Sequence, residues 1–310
     1  MDVFWAIITT WGIMMKILVM GGTRFFGIRT VDGLVKNGHD VTVATRGNLP
    51  FPLEGKIKKV IFDHRDEESI RNAFSGDDYD IIIDKIAFSS NDVRRVVSNV
   101  SFDKYVLMST CGVYNGRYHT DIKEEEFDPY SYGLIWGERD ANGGSFDYDE
   151  GKRQAECAAA RLLEPEKAVM VRFPVVMGEN DYTKRLLFYI EHIAAETPMY
   201  VNNPNNKLSF LYENDAGDFF CKLAESDLYG AVNLSSRDII TAGDIIKYAE
   251  EKLGKKAVID KNGDTAPYNG FETDATWNTD KAQGIGFVPL RHKDWIYDLI
   301  DSYILKRKGE

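Results

Sequence analysis

The chain is poor in the residues that build disulfide frameworks and metal sites. Only three cysteines, Cys111, Cys157 and Cys221, occur among 310 residues. They are far apart and odd in number, which excludes a disulfide scaffold and suits free thiols in a reducing compartment. No C-x-x-C or H-E-x-x-H spacing occurs, so no metal site is read. Basic charge is also short: 38 Lys and Arg stand against 49 Asp and Glu, a formal net charge of -11. That balance repels phosphate backbones and anionic membrane surfaces at long range. No basic stripe with interleaved aromatics is visible either, which argues against a nucleic-acid partner. A long hydrophobic run is missing. Residues 4–14 are apolar but fall short of the roughly 20 residues that a bilayer requires. Asp2, with no Lys or Arg nearby, argues against a secretory signal. Residues 1–14 therefore read as an extension outside the fold or an over-called start, with a hydrophobic anchor as the lesser alternative. The expectation is a cytoplasmic protein without membrane attachment.

What is present is an ordinary globular composition, 44% hydrophobic and 28% charged. The length exceeds the usual single core, so one large or two intimately packed domains are expected. Ile17-Leu18-Val19-Met20 is a short apolar run ended by Gly21-Gly22, which reads as a buried parallel strand. Ile28, Val31, Leu34 and Val35 then fall at helical spacing, up to Asn37-Gly38-His39. Val41-Thr42-Val43-Ala44, Val60-Ile61-Phe62, Ile81-Ile82-Ile83 and residues 104–108 give further strands, with helices over 70–74 and 93–100 between them. Strands alternating with helices predict an α/β fold, a parallel sheet doubly wound by helices. Residues 115–147 are polar and rich in Gly, Tyr and Asp, and read as a long loop. A helix near Tyr148 and a strand over 168–172 follow, then a smaller mixed C-terminal region. No repeat, low-complexity tract or linker is visible. The expected division is 1–14 as extension, 15–177 as dinucleotide-binding domain and 178–310 as a substrate region packed on it.

Gly21-Gly22-Thr23-Arg24-Phe25-Phe26-Gly27 lies between the first strand and first helix, where a phosphate meets backbone N–H groups and the positive end of a helix dipole. These residues resemble the short-chain dehydrogenase/reductase superfamily, in its extended and atypical, epimerase/dehydratase-like branch. That family carries Gly-Gly-x-Gly-Phe-x-Gly here, matched at Gly21, Gly22, Phe25 and Gly27 and broken at the central glycine, which is Arg24. The Gly-Gly-Thr-Arg-Phe form is similar to a branch that includes chloroplast stem-loop RNA-binding proteins. The resemblance implies a Rossmann fold binding NADP or NAD. The second strand ends Ala44-Thr45-Arg46, without the acid that favours NAD. Arg46, with Arg24, could pair with a 2′-phosphate, so NADP is expected over NAD. The plainer alternative leaves Arg46 a solvated loop residue. By resemblance, Asp63 with His64 meets the adenine, Ile86 and Ala87 line the cleft, and Phe173, Pro174 and Val176 flank the nicotinamide.

Tyr148 and Lys152 form Tyr-x-x-x-Lys, four apart on one helix face. A nearby cation favours phenolate and makes Tyr a usable proton donor or acceptor near neutrality. A second pair, Tyr248 and Lys252, has the same spacing but no strand-end cleft, and reads as chance. Tyr148 occupies the family's catalytic place, and Ser109-Thr110-Cys111-Gly112-Val113-Tyr114 resembles the strand end whose second hydroxyl touches substrate. The implied triad is Thr110, Tyr148 and Lys152, with Tyr148 and Lys152 also meeting the cofactor and Lys152 lowering the Tyr pKa. Dehydratases of the branch place Asp-Glu after the Thr, where this chain has Cys111 and Gly112, so dehydration by that route is not expected. Asp181, Lys184 and Arg185 could meet an anionic substrate, although a solvated face is the plainer reading. The resemblance continues weakly at Tyr229-Gly230-Ala231-Val232-Asn233 and Ile285-Gly286-Phe287.

Two functional readings follow. The first is an NAD(P)-dependent oxidoreductase or epimerase acting on a carbonyl or hydroxyl of a small molecule, with a sugar nucleotide as the substrate class the branch suggests. The second is a non-catalytic dinucleotide-binding protein with an RNA-binding or regulatory role. Oligomeric state is open, with a homodimer through the helix of Tyr148 and Lys152 as the arrangement implied by relatives.

Overall fold

The computed structural model describes residues 14–51, 53, 55–139 and 144–308. The expected N-terminal extension, apart from Met14, and residues 140–143 of the long loop lie outside the described residues.

From Lys16 the alternation read from the sequence is realised as β1 (Lys16–Met20), α1 (Phe26–Lys36), β2 (Asp40–Thr45), β3 (Lys58–Ile61), α2 (Glu67–Phe74), β4 (Asp78–Asp84), α3 (Ser90–Val97), β5 (Ser101–Thr110), α4 (Tyr148–Leu162) and β6 (Ala168–Phe173). Then come β7 (Val176–Met177), α5 (Arg185–Ala195), β8 (Met199–Tyr200), β9 (Leu211–Tyr212), α6 (Glu213–Ala224), β10 (Gly230–Asn233), α7 (Ala242–Leu253), β11 (Asp264–Thr265), α8 (Asp280–Gly284) and α9 (Ile296–Lys308). The central sheet has seven strands in the order β10-β6-β5-β4-β1-β2-β3, all neighbours parallel. The chain starts at the centre on β1, moves outward to β3, then returns to β4 on the other side. That reversal opens a crevice at the carboxyl ends of β1 and β4, the place where doubly wound sheets bind ligands.

The strand pleat explains why both faces must be covered. Ile17 and Val19 join one core with Val31 and Leu34 of α1 and Phe219, Phe220 and Leu223 of α6. Leu18 and Met20 point the other way, into a core with Ile70, Phe74, Val93, Val96, Ala155, Ala158 and Ala159. Each such fully buried aliphatic side chain contributes on the order of 1.5–3 kcal/mol relative to exposure. The small alanines let α4 lie close on the sheet. The third strand ends at Ile61, one residue earlier than the sequence pattern suggests, and α3 stops at Val97 because Ser98 and Asn99 turn the chain.

Residues after 178 do not form a separate body. Strand β10 pairs with β6, and α6 packs on α1, so the sheet recruits part of the C-terminal region. The rest builds a third core around Tyr189, Ile193, Phe210, Ile245, Trp295 and Ile300. A fully buried Arg172 joins the parts. It donates to Glu156 of α4, to the Tyr114 hydroxyl, and to the carbonyls of Glu124 and Phe127 in the long loop. Burial opposes its charge, but the Glu156 carboxylate beside it outweighs that and holds the guanidinium protonated. Cys111, Cys157 and Cys221 are buried free thiols. Among the described residues no helix is long and apolar enough to cross a membrane, and no group of His, Cys, Asp or Glu could hold a metal ion.

Candidate active site

The crevice is a cleft of about 830 Å³ running from the end of β2, past the β1–α1 turn, to the ends of β5 and β6. Gly21 opens the turn at φ 85°, a left-handed conformation natural to glycine. The other positive φ of the turn falls on Phe25, at 51°, and not on Arg24. Arg24 therefore replaces the family's central glycine without backbone strain, and its guanidinium lies 5.5 Å from the Tyr182 ring centroid. Helices α2, α3 and α4 are capped by the side chains of Asp66, Ser89 and Asp147. Helix α1 has no side-chain cap and no acid in its first turn. The N–H groups of Gly27 and Ile28 bond back to the carbonyls of Arg24 and Phe25, so what the helix offers an anion is the positive end of its dipole.

The structure brings most of the expected cofactor residues to this cleft. Gly21, Thr23, Arg24, Phe25 and Phe26 line it at the turn, and Arg46, His64 and Ile86 line it beyond. Tyr148, Phe173, Pro174 and Val176 line the far end. The remainder do not reach it. Gly22 packs against Val19, Val31 and Val43, and Gly27 against Lys85 and the Gly21 carbonyl, so both serve close packing. Asp63, expected at the adenine, is not among the lining residues: β3 ends at Ile61, and the exposed carboxylate accepts from the Arg65 N–H at 3.0 Å. Its neighbours Phe62, His64 and Arg65 face the cleft instead. Ala87 is buried, and its carbonyl accepts from Lys152.

Thr110 and Tyr148 meet at the far end. The Thr110 oxygen accepts from the Gly112 N–H at 3.1 Å, which leaves its own proton free to donate. Burial raises the Tyr148 pKa, while the Thr110 hydroxyl and the charges of Arg139 and Arg185 pull it back; the net direction is upward. Lys152 departs from the expected role. It is fully buried, and its Nζ donates to the carbonyls of Ala87 and Met108, both at 2.7 Å. Desolvation lowers its pKa to about 8. Lys152 thus ties the β4–α3 connection to β5 behind the cleft, and the charges that act on the phenol are those of Asp149, which raises its pKa, and of Arg139 and Arg185, which lower it. The second pair behaves as expected: Tyr248 and Lys252 both bond Asp301, bracing α7 against α9.

Several functional positions escape sequence reasoning. Arg139, from the long loop, lies 5.3 Å from the ring centroids of both Phe88 and Tyr148. Tyr118, Phe271 and Trp277, from distant segments, wall the substrate end. Asp149 is the most consequential, because its carboxylate stands where a side chain at Gly112 would be. Burial raises its pKa, against a hydrogen bond from Asn115 at 2.7 Å. The signal was its place directly after Tyr148, which only a known helix orientation could convert into a cleft position. Cys111 is buried at the cleft lining with its thiol pushed well up by desolvation. Asp181 bonds Thr183, whereas Arg185 lines the cleft and a smaller side pocket of about 270 Å³.

Residues 17–103 match the model of the NAD dependent epimerase/dehydratase family. The family resemblance read from the sequence holds. The chain is 30% identical to the chloroplast stem-loop binding protein of 41 kDa b of Arabidopsis thaliana, over 37% of this chain and 35% of that protein. It is 23% identical to UDP-glucuronic acid decarboxylase 1 of the same organism, over 81% of this chain and 61% of that protein. The chain thus spans less than two thirds of the length of either curated relative. Among solved structures, UDP-glucose 4-epimerase from Thermotoga maritima superposes with a TM-score of 0.72 at 16% identity, covering 94% of this chain and 99% of that one. At that identity the likeness speaks to the fold, which is the doubly wound parallel sheet expected from the sequence.

Proposed function

We propose that this protein is an NAD(P)-dependent oxidoreductase or epimerase acting on a carbonyl or hydroxyl group, with a sugar nucleotide as substrate class. The observation that carries the reading is the convergence of Thr110 and Tyr148 at one end of a cleft that also passes an uncapped helix N-terminus. The residues fit a dinucleotide: the α1 N-terminus and Arg24 suit its phosphates, and Phe173, Pro174 and Val176 give an apolar wall for a ring. When bound, a nicotinamide dinucleotide supplies the hydride acceptor and donor.

The chain's own residues handle the proton. Thr110 donates to the substrate oxygen and fixes its position. Tyr148 takes the hydroxyl proton as a carbonyl forms, and returns it when the carbonyl is reduced. Arg139 and Arg185 favour the phenolate against the desolvation that opposes it. Redox-neutral turnover gives an epimerase, and net turnover gives a dehydrogenase or reductase. Arg46 supports a preference for NADP over NAD. Buried free thiols and the lack of a long apolar helix among the described residues are in keeping with a cytoplasmic location, and a homodimer through α4 remains part of the proposal.

The test is substrate screening with UDP-sugars under NAD and NADP. Tyr148→Phe is expected to lower kcat by about 100–1,000-fold, the scale of a lost general acid–base group, with cofactor affinity unchanged. Retention of full activity by that variant would remove Tyr148 from the chemistry. A second reading rests on Asp149, which restores a carboxylate near the position that Cys111 and Gly112 leave empty. It adds proton abstraction beside a carbonyl, the step that precedes elimination. Asp149→Asn should then abolish proton exchange between substrate and deuterated water while leaving hydride transfer detectable; unchanged exchange would dismiss it. Salt-sensitive binding of structured RNA without turnover would favour the role carried by the name of the chloroplast relative.

A further inference from the structure

Three lysines in the described structure are almost wholly buried: Lys85, Lys104 and Lys152. Two of them satisfy their ammonium groups in the ordinary way. Lys104 donates to the carbonyls of Leu223 and Ser226, and Lys152 to those of Ala87 and Met108. Lys85 has no such partner among the described residues. It is 6% exposed, and its Nζ lies 4.0 Å from the Phe26 ring centroid and 5.9 Å from that of Phe220. A cation so placed carries a desolvation cost that ring contacts offset only in part.

Its position shows what completes it. Lys85 follows β4 directly, on the crevice side of the topological reversal, and it lines the cleft. Its Nζ occupies the space where a Cβ of Gly27 would stand, against the first turn of α1. That is the helix whose N-terminus has neither cap nor acid. A buried ammonium and the positive end of the α1 dipole thus converge on one spot beside the cleft.

We propose that Lys85 is the buried cation of the dinucleotide site, its ammonium and the N-terminus of α1 together holding a phosphate of the bound dinucleotide. This rests on the reading that a dinucleotide occupies the cleft, and it adds a consequence: binding is linked to protonation of Lys85. Desolvation alone lowers this lysine to about 7 in the free protein. No other charge near it compensates. On β4, Asp84 is turned to the N–H groups of Ile86 and Ala87 and the Tyr105 hydroxyl. In the β1–α1 turn, Arg24 lies against Tyr182, and on α1 Arg29 is paired with Asp218 of α6. Beyond β6, Asp181 is bonded to Thr183. A bound phosphate favours the charged ammonium, so affinity is highest below pH 7 and falls as pH rises through that value.

The experiment is calorimetric titration with NAD, NADP and ADP from pH 6.5 to 8.5, on the wild type and Lys85→Met. The wild type should lose about tenfold in affinity across that range. Lys85→Met should bind about 30-fold more weakly at pH 6.5, the scale of a lost charged hydrogen bond, with no pH dependence. Its melting temperature without ligand should hold or rise, since Met keeps the apolar stem and removes a buried unpaired charge. A merely structural Lys85 would give the opposite pair, a lower melting temperature and unchanged affinity, and would overturn the proposal. So would a pH dependence that persists in Lys85→Met, which would belong to another group. Flat wild-type affinity from pH 6.5 to 8.5 overturns it without recourse to any variant. Absence of all binding by the wild type is a different result: it removes the dinucleotide reading itself.

Discussion

At Tyr148 two opposing influences meet: desolvation of the phenol and the Asp149 carboxylate against the Thr110 hydroxyl and the charges of Arg139 and Arg185. The sequence could point to Tyr148 and Thr110, because the family resemblance ties such residues to a helix start and a strand end, and both ends are locally visible. It could not name Arg139, which reaches the phenol from a loop with no periodicity. Nor could it foresee that Lys152 would turn its ammonium to two carbonyls. A spacing of four places two side chains on one helix face, but the direction of a long side chain depends on which acceptors the neighbouring strands present. Arg46 was legible for the same reason as Tyr148, lying one residue past the end of β2 and lining the cleft. If its guanidinium meets a 2′-phosphate, Arg46→Ala should weaken NADP about tenfold, equivalent to about 1.4 kcal/mol, and leave NAD unchanged. Parallel titrations of the two cofactors check this, and equal loss for both would assign Arg46 to the shared part of the dinucleotide.

At the scale of elements, α4 is where stability and function share residues. Its N-cap, Asp147, accepts from the Glu150 N–H at 2.8 Å, and the next residue is Tyr148. The cap therefore fixes the backbone from which the phenol projects. Asp147→Ala is expected to cost about 1 kcal/mol, read as a lower urea midpoint. It should also lower kcat more than it raises KM, because it disturbs the proton-transferring group and not substrate contacts. The sequence placed α4 correctly but placed other boundaries less well. Asp63 falls past the end of β3, on a turn that sends its side chain outward. Strand ends are set by which neighbour supplies hydrogen bonds, and β3 is an edge strand with β2 as its sole ladder partner.

Across the whole molecule, the buried Arg172–Glu156 pair links β6, α4 and the long loop. Tyr114 extends the link to Asn233 on β10, and Glu124 accepts from the Asn233 N–H. This network anchors Glu124 and Phe127 within the stretch read only as a loop over 115–147, and Tyr118 and Arg139 of that stretch line the cleft. Removing one partner from such a pair strands a buried charge. Glu156→Gln is therefore expected to destabilise the fold by about 3–5 kcal/mol in urea unfolding, although Glu156 does not line the cleft. A loss below 1 kcal/mol would mean that the network adds little beyond packing.

The sequence by itself determined the sheet, its winding and the location of the phosphate turn, because a pleat of period two and a helix of period 3.6 leave local traces. It also pointed, through the family resemblance, to Thr110 and Tyr148, which the structure places at the far end of the same cleft. The tertiary structure alone decided which charges face the cleft: Arg139, Arg185, Asp149 and Lys85 inward, Asp63 and Lys152 away. Those choices depend on burial and on the acceptors supplied by residues distant along the chain, and no local pattern encodes them.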